Sequence, residues 1–198
     1  WQTALSADYT LSLGLPKTSL FTSSTAGSLT GEVRFLDIGL PKGLDAEITS
    51  EVIEPTAAAG WLPARPAIAH KGTFGKALVF AGSARYPGAA CLASAGAIRA
   101  GTGLVTLAIG RSLQPAVTPG LPEVTFIPLD EIRPGTPDPN GVQSILTELD
   151  AFDALLVGCG IGQSSESRYM VNTILLGSAK RLPPCVIDAD GLNIIAET

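Results

Sequence analysis

The 198-residue sequence predicts an α/β domain: a mostly parallel sheet with helices on both faces. Three observations carry this expectation. From residue 77 onward, short apolar runs alternate about five times with helix-like segments. The runs are near-continuous in Val, Ile, Leu and Ala, as strands buried on both faces are. Aromatics make up only 6% of residues against 45% hydrophobic, so small aliphatic side chains must fill the core.

Residues 1–45 read differently. Asp8 to Leu13 alternates like a strand and ends in the turn Gly14-Leu15-Pro16-Lys17. Ser19 to Thr30 is a Ser/Thr/Gly-rich loop by composition, and Glu32 to Ile38 is a second strand ended by Gly39-Leu40-Pro41. Two strands with no helix between them cannot bury a core. They are expected to finish a sheet whose other strands lie upstream of Trp1. Residues 46–69 look like a connector, with one short strand or turn at Glu47 to Val52. Its Ala/Pro-rich stretch, Pro55 to Pro66, is expected to dock through Trp61.

The organising unit comes next. Ala77 to Ala81 is a buried strand broken by Gly82-Ser83, and Gly88 to Ala100 is a helix of small residues stopped by Gly101. Leu104 to Ile109 is the following strand. Pro115 to Pro122 is broken, Glu123 to Ile127 is a strand, and Arg133 to Asn140 is a Pro/Gly/Asp loop. A helix over Gln143 to Leu149 takes Asn140 or Gly141 as its cap. The strand Phe152 to Val157 runs into Gly158-Cys159-Gly160-Ile161-Gly162. A helix from Ser164 or Ser165 to Ala179 has Glu166 in its first turn and Lys180/Arg181 at its end, in accord with the macrodipole. Cys185 to Ile187 is a strand, and Asp188-Ala189-Asp190-Gly191-Leu192-Asn193 follows.

Net charge of −5 argues against nucleic acid or an anionic membrane as the main partner. No apolar run approaches the ~20 residues of a membrane span, and no signal-peptide pattern is present. Cys91, Cys159 and Cys185 lack the paired spacing of a zinc site, and one histidine cannot build a histidine-rich one. They read as buried, reduced thiols of a cytoplasmic protein. The chain begins at Trp1 without Met and stops at Thr198 directly after a promising motif, so a fragment of a longer protein is expected.

In open parallel sheets, ligands sit outside the carboxyl ends of the strands. Three turns fall at that edge: 82–90, 158–164 and 188–193. The first presents Gly82, Ser83 and Gly88 beside a helix N-terminus suited to an anion. Neither G-x-G-x-x-G nor the P-loop pattern occurs, so its glycines serve either a ligand or the turn itself. The turn around Gly160 and Gly162 offers backbone N–H groups that a phosphate or flat ring could approach, or it is a tight connection only. Asp188 and Asp190 could hold Mg²⁺ or ligand hydroxyls, and one of them is expected to cap the following helix while the other faces the pocket. His70 is either structural or catalytic. Lys71, with Gly72, Gly75 and Lys76, either steers a polyphosphate or is a solvated loop. No spacing suggests a Ser-His-Asp triad.

Taken in order, His70-Lys71-Gly72-Thr73-Phe74-Gly75-Lys76, Gly82-Ser83 with Tyr86-Pro87-Gly88-Ala89-Ala90, Gly101-Thr102-Gly103-Leu104-Val105, Gly158 to Gly162, and Asp188 to Asn193 resemble the ADP/ATP-dependent NAD(P)H-hydrate dehydratase family. That family is a branch of the ribokinase-like fold. Residues 1–45 resemble the tail of the Rossmann-like NAD(P)H-hydrate epimerase domain, through Ala7-Asp8-Tyr9-Thr10, Gly14-Leu15-Pro16-Lys17 and Asp37-Ile38-Gly39-Leu40-Pro41. The two domains often occur together in one bifunctional repair enzyme. The implied organisation is an epimerase tail over 1–45, a linker over 46–69, and the first, incomplete part of a dehydratase domain over 70–198.

The resemblance implies a reaction: transfer of a phosphoryl group from ADP or ATP, with Mg²⁺, to the ring hydroxyl of hydrated NADH or NADPH (NADHX, NADPHX), then elimination to the intact cofactor. It implies that Ala89 or Ala90 and Gly162 line the hydrated-dinucleotide pocket, with Asp190 and Asn193 beside it. Gly82, Ser83, Gly88 and Gly160 complete the expected binding set. The family's usual Pro is Cys159 here. Its His-Pro-Gly-Glu and Gly-Thr-Gly-Asp stretches, the latter with the expected general-base Asp, are absent from the 198 residues. No catalytic residue is therefore expected in this chain, which should be inactive alone. Potassium is implied only for the epimerase part. A ribokinase-like kinase for another small alcohol and a non-catalytic nucleotide-binding module are the alternatives, and homo-oligomerisation is left open.

Overall fold

Along the strand Lys76–Phe80, Leu78 and Phe80 face one side of a sheet and Val79, with Ala81 just beyond, faces the other; all four are buried. This period of two continues through the neighbouring strands and gives the sheet a separate apolar core on each face. The computed structural model describes residues 5–24, 26–44, 47–177 and 181–198. Trp1, and the predicted helix end at Ala179 and Lys180, lie outside the described residues. The chain divides into two units, one ending at Arg65 and one beginning at Pro66.

In the first unit, β1 (Tyr9–Leu13) and β2 (Glu32–Leu36) pair in parallel, with Tyr9 opposite Glu32 and Leu13 opposite Leu36. A parallel pair requires a crossover, and the segment read as a loop supplies it as two short helices, α1 (Ser19–Thr22) and α2 (Ala26–Leu29). The expectation of no helix between the strands is corrected. Single-turn helices of Ser, Thr and Gly have little intrinsic propensity, and here the crossover imposes them. Glu47 to Val52 forms no strand. Pro55 starts a helix instead, α3 (Pro55–Trp61), where its fixed φ suits the first turn. Trp61, which ends that helix, is 66% exposed.

The second unit holds a five-stranded parallel sheet in the order β5-β4-β3-β8-β9. Its strands are β3 (Lys76–Phe80), β4 (Leu104–Gly110), β5 (Thr125–Leu129), β8 (Ala154–Val157) and β9 (Cys185–Ile187). Between β3 and β4 runs α4 (Pro87–Ala100). Its Ala90 is fully buried, and Gly101 closes it in the left-handed conformation, φ 102°, donating to Ala97 and Ile98 carbonyls. The small residues of α4 let it lie close over Val79, Val105, Leu107 and Ile109. A short α5 (Gln114–Val117) joins that layer through Val117.

On the opposite face pack α6 (Val142–Glu148), α7 (Ser165–Asn172) and α8 (Asp190–Ala196). Val142, Ile145, Met170, Val171 and Ile194 meet Leu78, Phe80, Leu155 and Val157 there. Burying each such Leu or Ile stabilises by about 1.5–3 kcal/mol. Past Asn172, α7 widens into a π-helical turn, Thr173–Gly177. Neither Asn140 nor Gly141 caps α6 with a side chain; Asp138 accepts the Asn140 amide instead, one 3₁₀ turn earlier. The Pro/Gly/Asp loop contains a small antiparallel hairpin, β6 (Glu131–Arg133) with β7 (Thr136–Pro137). Cys91 and Cys159 are half-buried, whereas Cys185 is exposed because β9 is an edge strand. Among the described residues, no helix is long and apolar enough to cross a membrane.

Candidate functional site at the carboxyl edge of the sheet

Phe80 is level with Val157, and Val157 with Ile187. The three turns singled out in the sequence therefore leave adjacent strands at the same height. Backbone bonds carry the sheet one step past the strands: Gly82 donates to Cys159 at 2.9 Å, Gly158 to Phe80 at 3.2 Å and Asp188 to Val157 at 3.1 Å.

Within the glycine turn three amides hold the turn itself. Gly158 donates to Phe80, Ile161 to Gly158 at 3.4 Å, and Gly162 to the Asp190 carboxylate at 2.9 Å. Three of the turn's five amides are thus bonded within the protein, so the turn is in part the tight connection that its glycines also allow. Gly158 has φ 123°, and a Cβ there would collide with the Asp188 carbonyl. Gly160, φ 67°, would place a Cβ 2.7 Å from the Ala89 Cβ and 2.8 Å from the Tyr86 Cβ. Gly162, φ 75°, has open space where a side chain would be. Two of these glycines thus serve close packing, and the third opens outward.

The carboxylates divide in another way than the sequence suggests. Asp190 sits in the first turn of α8, yet its oxygens take the Gly162 amide at 2.9 Å and Gln163 Nε2 at 3.1 Å. Asp188 accepts the Cys159 thiol at 3.4 Å. Neither side chain caps α8. Between them Ala189 has φ 48° and ψ −114°, the one positive-φ non-glycine among the described residues. Such a backbone costs of order 1–3 kcal/mol, held here by the bonds on either side. Burial pushes the Cys159 thiol up, and the hydrogen bond and charge of Asp188 push it further. Among the described residues, no group of three or more His, Cys, Asp or Glu side chains could hold a metal ion. Asp190 is held by two N–H donors and Asp188 by the Cys159 thiol, so any Mg²⁺ here would have two carboxylates at most and would need phosphate oxygens to complete its shell.

Over this edge lies a groove of about 270 Å³. Ser83, Ala84 and Arg85 form one wall, Gly135, Thr136 and Pro137 a second, and Ile161 to Ser164 with Ser167 the third. Ser164 caps α7 by accepting the Ser167 amide at 3.2 Å, and the helix starts at Ser165, one of the two starts the sequence allows. Glu166 in that first turn is held below the usual carboxylate range by its own backbone N–H, by Ser164 and Ser165, and by the charge of Arg133.

Of the nine predicted binding residues, Ser83 and Gly162 line the groove. Gly82 and Ala90 are buried beneath it against each other: a Cβ at Gly82 would lie 2.8 Å from that of Ala90. Gly88 and Ala89 are in the first turn of α4, and Gly160 packs on Ala89. Asp190 reaches the groove through Gly162, and Asn193 is exposed one turn along α8.

Sequence reasoning missed the hairpin wall. Glu131 pins it by accepting the Ser112 amide at 2.8 Å, the Ser112 hydroxyl at 2.9 Å and the Gly135 amide at 2.6 Å. The only local signal was Pro134-Gly135, a turn with no indication of its distant partners. His70 and Lys71 precede β3 and so lie at the opposite, amino edge. There the His70 Nδ1 accepts the Gly72 amide at 3.1 Å in a capping box with Thr73. Neither residue joins the carboxyl-edge site.

The NAD(P)H-hydrate dehydratase family model matches residues 77–198. The bifunctional NAD(P)H-hydrate repair enzyme Nnr of Moorella thermoacetica is 33% identical over 196 residues, 97% of this chain and 36% of that enzyme. The chain thus spans little more than a third of the length of the curated relatives it matches. The ADP/ATP-dependent NAD(P)H-hydrate dehydratase from Bacillus subtilis, co-crystallised with ATP/Mg²⁺, is 31% identical with a TM-score of 0.54, over 69% of this chain and 44% of that one. A ribokinase-like superfamily protein from Enterococcus faecalis gives a TM-score of 0.58 at 18% identity, covering 69% of this chain and 44% of its own, a likeness of fold.

Proposed function

This chain belongs to the NAD(P)H-hydrate dehydratase family, and on that premise we propose that it supplies the hydrated-dinucleotide side of an ADP- or ATP-dependent NAD(P)H-hydrate dehydratase. The observation that carries this reading is the level alignment of three turns at the carboxyl ends of β3, β8 and β9, where open parallel sheets bind ligands.

In this reading, the phosphoryl group of ADP or ATP moves to the hydroxyl of hydrated NADH or NADPH. Loss of phosphate and a ring proton then restores the double bond. Gly82, Ser83, Gly88, Ala89, Ala90, Gly160, Gly162, Asp190 and Asn193 form the substrate side. Their part is to shape the pocket: Gly160 and Ala89 bring the glycine turn against α4, and Asp190 holds Gly162 in place. Magnesium enters with the nucleotide's phosphates, since no group of three or more His, Cys, Asp or Glu among the described residues could hold it alone. The general base belongs to a Gly-Thr-Gly-Asp stretch that these 198 residues do not contain, so the chain alone is inactive. Residues 1–45 are read as an epimerase tail, 46–69 as a linker, and the parent as a cytoplasmic bifunctional repair enzyme.

The test uses the full-length protein that contains this chain. Hydrated NADH is mixed with Mg²⁺ and ADP or ATP, and the near-ultraviolet absorbance of reduced nicotinamide is followed. Nucleotide-dependent recovery is expected. A folded protein that binds nucleotide but restores no NADH would overturn the reading.

A further inference from the structure

Arg85 stands in the groove wall beside Ser83, exposed, with its guanidinium 5.8 Å from the Tyr86 ring centroid. Its charge is unopposed among the described residues, whereas Arg34, Arg111 and Arg168 each hold a carboxylate. The lining contains no Asp or Glu. Two carboxylates flank the lining and are bonded to it: Glu131 takes Ser112 and the Gly135 amide, and Asp190 takes the Gly162 amide and Gln163 Nε2. Glu166 lies outside the lining and feels the charge of Arg133. The Ser83 hydroxyl adds a donor on the same wall as Arg85, and the Ser164 hydroxyl is occupied by Ser167. In a chain of net charge −5, a groove lined by one guanidinium that no described carboxylate pairs, its flanking acids each held by N–H donors, selects an anionic group. About 270 Å³ accommodates a phosphate together with the sugar that bears it.

We propose that this groove is a phosphate subsite for the dinucleotide and that Arg85 is the residue that reads the phosphate. The inference rests on the function proposed above, and it adds a specificity determinant. Hydrated NADPH carries a phosphate monoester on its adenosine ribose, and hydrated NADH does not, while both carry the pyrophosphate. A monoester in the groove makes Arg85 the source of a preference for the NADPH form. The pyrophosphate in the groove makes it a shared anchor.

The experiment measures binding of NADP⁺, NAD⁺ and ATP to the full-length protein by calorimetry, for the native sequence, Arg85→Gln and Arg85→Lys. Arg85 is exposed, so both variants should melt with the native protein. Loss of a charge-assisted pair predicts about tenfold weaker NADP⁺ binding in Arg85→Gln, partly restored in Arg85→Lys and narrowing as salt rises. A loss for NADP⁺ alone assigns the monoester, and an equal loss for NADP⁺ and NAD⁺ assigns the pyrophosphate; both support the subsite. Unchanged binding of both dinucleotides, or a loss confined to ATP, overturns it. Turnover of hydrated NADH by the native protein is read separately. Arg85-dependent NADP⁺ binding without turnover would refute the dehydratase reading alone, and turnover without Arg85 dependence would refute the subsite alone.

Discussion

Asp190 accepts the Gly162 amide at 2.9 Å across 28 positions of sequence, so the helix after one strand holds the glycine turn after its neighbour. The same carboxylate takes Gln163 Nε2 at 3.1 Å. Two turns that could each move alone are thereby locked together. Asp190→Ala removes both acceptors and is expected to cost about 1–2 kcal/mol, with faster amide exchange at Gly162. Asp190→Asn keeps one acceptor and should recover part of that loss. Urea denaturation with amide exchange on the same samples checks both, and unchanged exchange at Gly162 would refute the lock.

The three glycines of the turn should respond unequally to alanine. Gly158→Ala collides with the Asp188 carbonyl and places Ala at φ 123°, so a loss above about 2 kcal/mol is expected, with poor soluble yield. Gly162→Ala meets open space at φ 75° and pays only the left-handed penalty, about 1 kcal/mol. Equal losses at the two positions would show that backbone conformation alone governs this turn. Thermal melts of the two variants decide.

Glu131 is expected to hold the hairpin wall of the groove. Glu131→Ala removes three hydrogen bonds to Ser112 and Gly135, at an expected cost of about 1–2 kcal/mol after solvent screening. The loss should be local: hydrogen exchange rises over residues 131–137 while β3 and β8 keep their protection. A uniform rise across the unit would count against the pin.

Partial loss of solvent around the sulfurs raises the Cys159 and Cys185 thiols, and Asp188 raises Cys159 further. A raised acid keeps its proton longer in the native state than in the unfolded chain. That stabilisation is complete below the ordinary thiol value of about 8.5 and is lost as pH climbs through the folded values. The urea midpoint should therefore decline on the alkaline side, and the Cys159→Ala/Cys185→Ala double variant should flatten that decline. An identical slope in the variant would assign it to other groups.

The sequence by itself determined the parallel sheet, the stop of α4 at Gly101, the start of α7 at Ser164 or Ser165 and the strand Cys185–Ile187. These are local: apolar runs need two covered faces, a left-handed residue ends a helix, and a hydroxyl meets the N–H groups within its reach. It also placed three turns at one edge, because every strand in a parallel sheet points the same way. Only the tertiary structure decided what those turns do with their polar groups. That Asp190 serves Gly162, that Glu131 serves Gly135 by way of a hairpin on Ser112, and that Arg85 meets no carboxylate among the described residues all depend on partners brought together by strand order. The order β5-β4-β3-β8-β9 sets β3 beside β8 although more than seventy residues separate them. In the first unit, likewise, the parallel pairing of β1 with β2 made helices of a Ser/Thr-rich stretch whose propensity had indicated a loop. Hydrogen-bond partners are chosen by distance in space, and period and propensity carry that information only within a few residues along the chain.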